Sequence, residues 1–103
     1  MWAQLITTRV KAGMEDELPK LFKELQAIEQ PGSGLVRSMA MVDQNDPSRL
    51  YMLVVFESEE KARAREHDPK REEVLKPARA TMADIFEGGM EFVDLTVVDE
   101  VTP

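Results

Sequence analysis

Leu50 to Phe56 is a run of seven consecutive apolar residues, Leu-Tyr-Met-Leu-Val-Val-Phe. It is far short of the roughly 20 residues that span a bilayer, and its β-branched and aromatic side chains read as a strand. A half-solvated strand alternates apolar and polar residues, so an unbroken run points to a strand covered on both faces. The segment Phe92, Val93, Leu95, Val97 and Val98 is likewise apolar on both parities. In a chain of 103 residues, helices can cover only one face of such a sheet. A second copy of the same sheet is the simplest cover for the other. The sequence therefore predicts one domain, residues 1–103, that works as an obligate homodimer. Several large side chains buried at roughly 1.5–3 kcal/mol each would leave an isolated monomer marginal.

Composition narrows the chemistry. The 20 acidic and 13 basic residues give a net charge of −7, which argues against a nucleic-acid partner. No segment is long and apolar enough for a membrane helix, and the first residues lack a basic region followed by an apolar stretch, so a cytoplasmic location is expected. With no cysteine, disulfides, thiolate nucleophiles and Fe–S clusters are excluded, and a single histidine rules out a multi-His metal centre within one chain. No spacing of carboxylates suggests a Mg²⁺ or Ca²⁺ site, and neither Gly32-Ser33-Gly34 nor Gly88-Gly89 has the strand-to-helix context of a nucleotide loop. No cofactor is expected.

The local signals give the order β-α-β-β-α-β. Residues 2–10 form a first strand ending at Gly13. Acidic Glu15, Asp16 and Glu17 open a helix with the stripe Leu18, Leu21, Phe22, Leu25 and Ile28, and Pro19 belongs in its first turn. Pro31-Gly32-Ser33-Gly34 ends it. Strands at about Leu35–Val42 and Arg49–Glu57 flank a hairpin loop of Asp, Asn and Pro. Ser58 reads as a helix cap and Asp68-Pro69 as a second one, so the following helical region is segmented. Pro77 is expected to break it again, leaving Ala78, Met82, Ile85 and Phe86 on a last piece that stops at Gly88-Gly89. Glu91–Val98 is the fourth strand. Glu57–Lys61 and Glu59–Arg63 are spaced for i,i+4 pairs on a solvated helix face.

This order is the α+β, ferredoxin-like split unit with a four-stranded antiparallel sheet. With Val10-Lys11-Ala12-Gly13-Met14-Glu15-Asp16-Glu17, Gln30-Pro31-Gly32-Ser33-Gly34-Leu35 and Val54-Val55-Phe56-Glu57-Ser58-Glu59-Glu60-Lys61-Ala62, the chain resembles the antibiotic biosynthesis monooxygenase family over nearly its whole length. The resemblance implies a dimeric α/β barrel with a pocket between sheet and helices. It also implies cofactor-independent oxygenation of a small phenolic, quinol or polycyclic aromatic compound. In such chemistry an ionised, electron-rich substrate passes an electron directly to O₂, and the protein supplies a pocket, a proton acceptor and anion stabilisation. In the haem-degrading branch an Asn, a Trp and an iron-ligating His fall where this sequence has Ile6, Arg65 and Leu75, so haem degradation by that route is not expected.

Within this frame Arg65, three residues from Ala62 on one helix face, is the candidate to hold a substrate anion. Tyr51 and Trp2 are candidates to stack on and position a planar ring. His67 is the only imidazole, the side-chain type whose unperturbed pKa falls near neutrality. It lies two residues from Arg65, about 200° around a helix, and so faces away from whatever Arg65 faces. Thr7, Thr8 and Tyr51 are poor bases, which leaves the substrate's own ionisation as the source of basicity. Arg37, inside an otherwise apolar strand, needs a partner, and Asp94 is one possibility. Met39, Met41 and Met52 read as soft packing residues. The competing reading is a non-catalytic ligand-binding or structural dimer that kept the fold and lost the active site.

Overall fold

The computed structural model describes residues 1–103. Its elements are β1 (Trp2–Val10), a 3₁₀ turn (Glu15–Glu17), α1 (Leu18–Ala27), β2 (Leu35–Val42), β3 (Arg49–Phe56), α2 (Glu59–Glu66), α3 (Pro69–Ile85) and β4 (Phe86–Thr96). The caps read from the sequence are made. Ser58 Oγ accepts the Lys61 N–H at 3.2 Å, and Asp68 Oδ1 accepts the Lys70 N–H at 3.0 Å with Pro69 at the first helical position. Each satisfies one backbone donor of a first turn at the point where the chain must turn back over the sheet.

All neighbouring strands are antiparallel, in the order β2-β3-β1-β4. The fold is the ferredoxin-like α+β unit. Pairing of β1 with β3 runs from Trp2 opposite Phe56 to Arg9 opposite Arg49. This register sends the even-numbered residues of both strands toward the helices. There Val10 and Leu50 pack with Leu18, Leu21, Ile85 and Phe86, and Trp2 and Phe56 pack with Ala62. Leu21 is fully buried, which at roughly 1.5–3 kcal/mol for such a side chain makes it a principal tie between α1 and the sheet. The odd-numbered side carries Leu5, Tyr51, Leu53 and Val55, flanked by Met39 and Met41 of β2 and by Val93 and Leu95 of β4. No element of the chain covers it, and Met39, Met41, Val93 and Leu95 are 41, 42, 49 and 38% exposed.

Three expectations are corrected. Pro77 does not break the helical region: α3 runs through it to Ile85. A proline removes one helical hydrogen bond, here that of the Glu73 carbonyl. Glu73 is exposed, so water replaces the lost donor, while the following Ala78 and Ile85 are buried on the packed side. Nor do Gly88 and Gly89 end a helix. They lie inside β4, which begins at Phe86 rather than Glu91 and ends at Thr96 rather than Val98. Gly88, at φ 74°, sits where the pairing shifts between Thr7–Glu91 and Arg9–Glu87. β4 fits more residues than β1 into that interval, and glycine takes the left-handed conformation that the bulge requires. Finally, Arg37 does not meet Asp94, because β2 and β4 are opposite edges of the sheet.

Pro77→Ala restores the missing N–H to the Glu73 carbonyl and is expected to raise unfolding free energy by about 1–2 kcal/mol, below the roughly 3 kcal/mol cost of proline in an ideal helix. Urea denaturation of the two proteins, with matching far-ultraviolet circular dichroism, measures the difference.

Candidate functional site

A cleft of about 400 Å³ opens where the turn after α1 meets α2 and the start of α3. Its construction begins at Gly34, which is buried, has φ 87° and accepts the Glu57 N–H at 2.8 Å. A Cβ there would stand 2.7 Å from the Lys61 side-chain carbons. The Pro31–Gly34 turn can therefore lie close under α2 only because residue 34 has no side chain. That places Glu29, two residues past the end of α1, against Arg65 of α2 and Arg71 of α3.

Glu29, Arg65 and Arg71 are 20, 19 and 14% exposed at their side chains. Arg65 grips both carboxylate oxygens: its Nε donates to Oε2 at 3.0 Å and its Nη2 donates to Oε1. The guanidinium also lies 5.1 Å from the centre of the Phe56 ring. Arg71 Nη1 stands 3.5 Å from Glu29 Oε1, an ion contact without a hydrogen bond. Burial alone would raise the Glu29 carboxyl. Hydrogen bonds from Arg65 and Ser33, with the charges of both arginines, outweigh it and hold the group below the usual glutamate range. Arg71 is pushed below the usual guanidinium range, first by burial and then by the nearby Arg65. One carboxylate thus serves two cations.

A second constellation lies along the sheet's helix-facing side. Arg63 lies 5.0 Å over the Trp2 ring and donates to Asp94 Oδ2 at 2.8 Å, with Glu59 and Glu66 also in its reach. Gln4 Nε2 donates to Asp94 Oδ1 at 3.0 Å. The Gln4 hydrogen bond and then Arg63 hold the Asp94 carboxyl below its ordinary value, and Asp94 in turn raises Arg63. Next along the same side, Phe92 pairs with Ile6 and is 58% exposed. The helical layer therefore leaves an apolar strip of β1 and β4 open at this edge. Thr8, on the same side of β1, buries its hydroxyl without a partner.

Of the residues singled out from the sequence, Trp2 and Arg65 come together, both against Phe56, whose ring is 6.0 Å from that of Trp2. Trp2 is buried between Phe56 and Arg63, so neither of its faces is free for a planar ring. Tyr51 is not brought to this group: it points to the opposite, uncovered side of the sheet, opposite Thr7 and Met41 and beside Arg49. His67 caps the C-terminus of α2, exposed, with its N–H bonded to the Arg63 carbonyl at 3.1 Å. The sequence reading missed Glu29, Ser33 and Arg71. Glu29 closes an apolar helical stripe just before a Pro-Gly turn, a position that signals a helix end but not an ion pair with a residue 36 positions on.

Residues 1–76 match the family model described as antibiotic biosynthesis monooxygenase. The chain belongs to that family. The match runs from β1 into the first half of α3 and so takes in the whole Glu29–Arg65–Arg71 cluster. Among solved structures, a variant of SnoaB, a cofactor-independent oxygenase from Streptomyces nogalater, superposes with a TM-score of 0.75 at 14% identity, covering 99% of this chain and 97% of that one. A protein of unknown function from Nitrosomonas europaea gives 0.74 at 16% identity over 99 and 93%. A variant of MhuD with two manganese protoporphyrin IX molecules bound per active site gives 0.72 at 19% identity over 100% of both chains. These likenesses establish the fold. No curated protein matches the chain in sequence.

Porphyrin binding by a relative raises the question of fit here. His67, the only imidazole, lies at the exposed end of α2, and Leu75 in α3 offers no ligating atom. No histidine here fits haem ligation. No three His, Asp or Glu side chains converge in a way that could hold a metal ion, and no helix is long and apolar enough to cross a membrane.

Glu29→Gln leaves two half-buried guanidiniums without their carboxylate and is expected to destabilise the protein by about 1–3 kcal/mol at pH 7. Because the folded Glu29 carboxyl lies below its ordinary value of 4.5, its contribution is present above that pH and lost as pH falls through the folded value. Denaturation at pH 7 and in acid should therefore show the gap between wild type and Glu29→Gln narrowing as the solution is acidified.

Proposed function

We propose that this protein is a homodimeric oxygenase of small, electron-rich phenolic or quinol compounds that works without a cofactor. Family membership carries the reading. The exposed Phe92, paired with Ile6, supports it, since an apolar surface of this kind suits a planar aromatic ring. The substrate binds as its anion and gives up an electron to O₂. One oxygen atom enters the substrate and the other leaves as water, with both reducing electrons supplied by the substrate itself. Arg65 stabilises the anion with its planar fork, in exchange for part of its grip on Glu29. Trp2 acts as a wall rather than a stacking platform. His67, facing solvent, takes no part as a base, so ionisation of the substrate supplies the basicity. Tyr51 contributes only across a subunit boundary, from the uncovered side of the sheet.

The dimer reading rests on that uncovered side. Leu5, Leu53, Val55, Val93 and Leu95 share one face of the sheet, and an apolar face without a helical cover is the kind of surface that a partner covers. A second sheet packed on it closes a barrel and covers both faces, as the apolar run of β3 requires.

A non-catalytic binding protein is the second reading, and one observation favours it. The Arg65 fork is already closed on both oxygens of Glu29.

Oxygen uptake with a panel of dihydroxynaphthalenes and anthrones distinguishes the two. Uptake that falls at least about tenfold in Arg65→Ala, equivalent to about 1.4 kcal/mol of lost transition-state stabilisation, is the expected result. Activity untouched in Arg65→Ala removes Arg65 from the mechanism, and no uptake with any compound favours the binding protein. For the dimer, light scattering on a sizing column is expected to give twice the chain mass for the wild type, whereas Leu53→Asp, which buries a charge in the interface, is expected to run as a monomer or unfold.

A further inference from the structure

Arg71 is a largely buried cation with no hydrogen-bonded counter-charge of its own. Its guanidinium is 14% exposed, yet none of its five N–H groups is hydrogen-bonded within the chain, and its one ionic neighbour is 3.5 Å away. That neighbour is shared. Both Glu29 oxygens are already taken by Arg65, so Arg71 has the field of a carboxylate but no acceptor of its own. No nitrogen of Arg71 is both fully buried and unpartnered, so its N–H groups face the cleft, where water or a ligand supplies the acceptor that the protein does not. The other acidic group in the cleft, Asp68, is committed to the Lys70 N–H at the start of α3.

The space in front of Arg71 suits a ligand. The cleft of about 400 Å³ is walled by polar groups and by Pro31 and Ala64. Three cations line it, Lys61, Arg65 and Arg71, against the two carboxylates Glu29 and Asp68. Lys61 is paired with Glu57 outside the lining and Arg65 with Glu29, so Arg71 is the one lining cation without a hydrogen-bonded carboxylate. A single negative charge balances it, and a planar fork matches a planar carboxylate in two parallel hydrogen bonds. Arg65 and Glu29 already display that geometry next door.

We infer that the Arg71 cleft is a binding site for a small organic monocarboxylate, which takes the acceptor position that Glu29 leaves unfilled. Glu29 both places the two arginines and competes with the incoming anion. The inference does not depend on oxygenation, because it concerns the polar cleft outside the helical layer and is read by binding alone.

Two-dimensional NMR of the full chain tests it, with acetate and benzoate as probes at constant ionic strength and chloride and inorganic phosphate as controls. Amide signals of residues 29–33 and 64–71 are expected to shift saturably with either carboxylate, with half-saturation at least about tenfold below any effect of chloride. Arg71→Gln, which keeps the length of the side chain and removes its charge, is expected to weaken that binding about tenfold or more. Glu29→Gln, which removes the competitor, is expected to tighten it several-fold, provided its spectrum shows a folded protein. Carboxylate shifts that stay linear and match those of chloride overturn the site. So does undiminished binding in Arg71→Gln, and phosphate binding tighter than carboxylate overturns the assignment of ligand class.

Discussion

A sheet that is apolar on both sides is closed on only one side by a single layer of helices, and the pairing of β1 with β3 decides which side that is. Trp2 opposite Phe56 and Thr8 opposite Leu50 put the even-numbered residues of the two central strands under the helices. A slip of one residue would exchange every side chain between the faces, sending Leu53 and Val55 to the helices and Leu50 and Phe56 to the open side. The two buried clusters, the seat of Ala62 on Trp2 and Phe56, and hence the direction in which Arg65 leaves α2 all follow from this register. The uncovered side follows from it as well. β2 and β4 at the two edges extend the apolar surface instead of screening it, because Met39, Met41, Val93 and Leu95 face the same way as Leu53.

Much of this architecture was legible because its signals are local. The bounds of β1 and β2 come from residue type and flanking turns, and the starts of α2 and α3 come from Ser58 and Asp68, whose side chains act on backbone groups two or three residues away. The misreadings are places where a distant contact overrules a local rule. Pro77 ends helices in general, but α3 is held on both sides of it by the packing of Ala78 and Ile85, and the single orphaned carbonyl faces water. Gly88-Gly89 has the composition of a helix stop. Its conformation is set instead by a bulge against Thr8, which exists only once β4 is paired. The suggestion that Arg37 meets Asp94 failed for want of the strand order, which no local pattern carries.

The site was less legible than the fold for the same reason. Arg65 could be named because α2 has a recognisable start and a countable face. Its partner could not, since Glu29 reaches it through the turn at Gly34 and across 36 positions of sequence. Arg71 stands in a run of alternating charge that has the pattern of a solvated helix face, and most of that run behaves so: Lys61, Arg63, Lys76 and Arg79 pair with exposed carboxylates. Charge pattern alone does not show which cation of such a run the fold pulls inward.

The fold of this chain is held by residues other than those proposed for its chemistry. Gly34 and Ser58 set the turn and the helix entry, and each is fixed by backbone geometry: a positive φ at a close approach and a cap. Ile6, Arg65 and Leu75 set neither the turn nor the cap. What constrains them is electrostatic. An arginine on this face of α2 has to find a counter-charge once it is half-buried, and Glu29 supplies it at the cost of leaving Arg71 short. Any anion that enters the cleft therefore meets a closed pair and an open cation side by side. It can bind to Arg71 without breaking the existing fork, whereas a ligand that needs Arg65 must first outcompete a carboxylate that the fold holds in place. In the proposed site, the hold on an anion and the freedom of Arg65 are thus both set by the same side chain, Glu29.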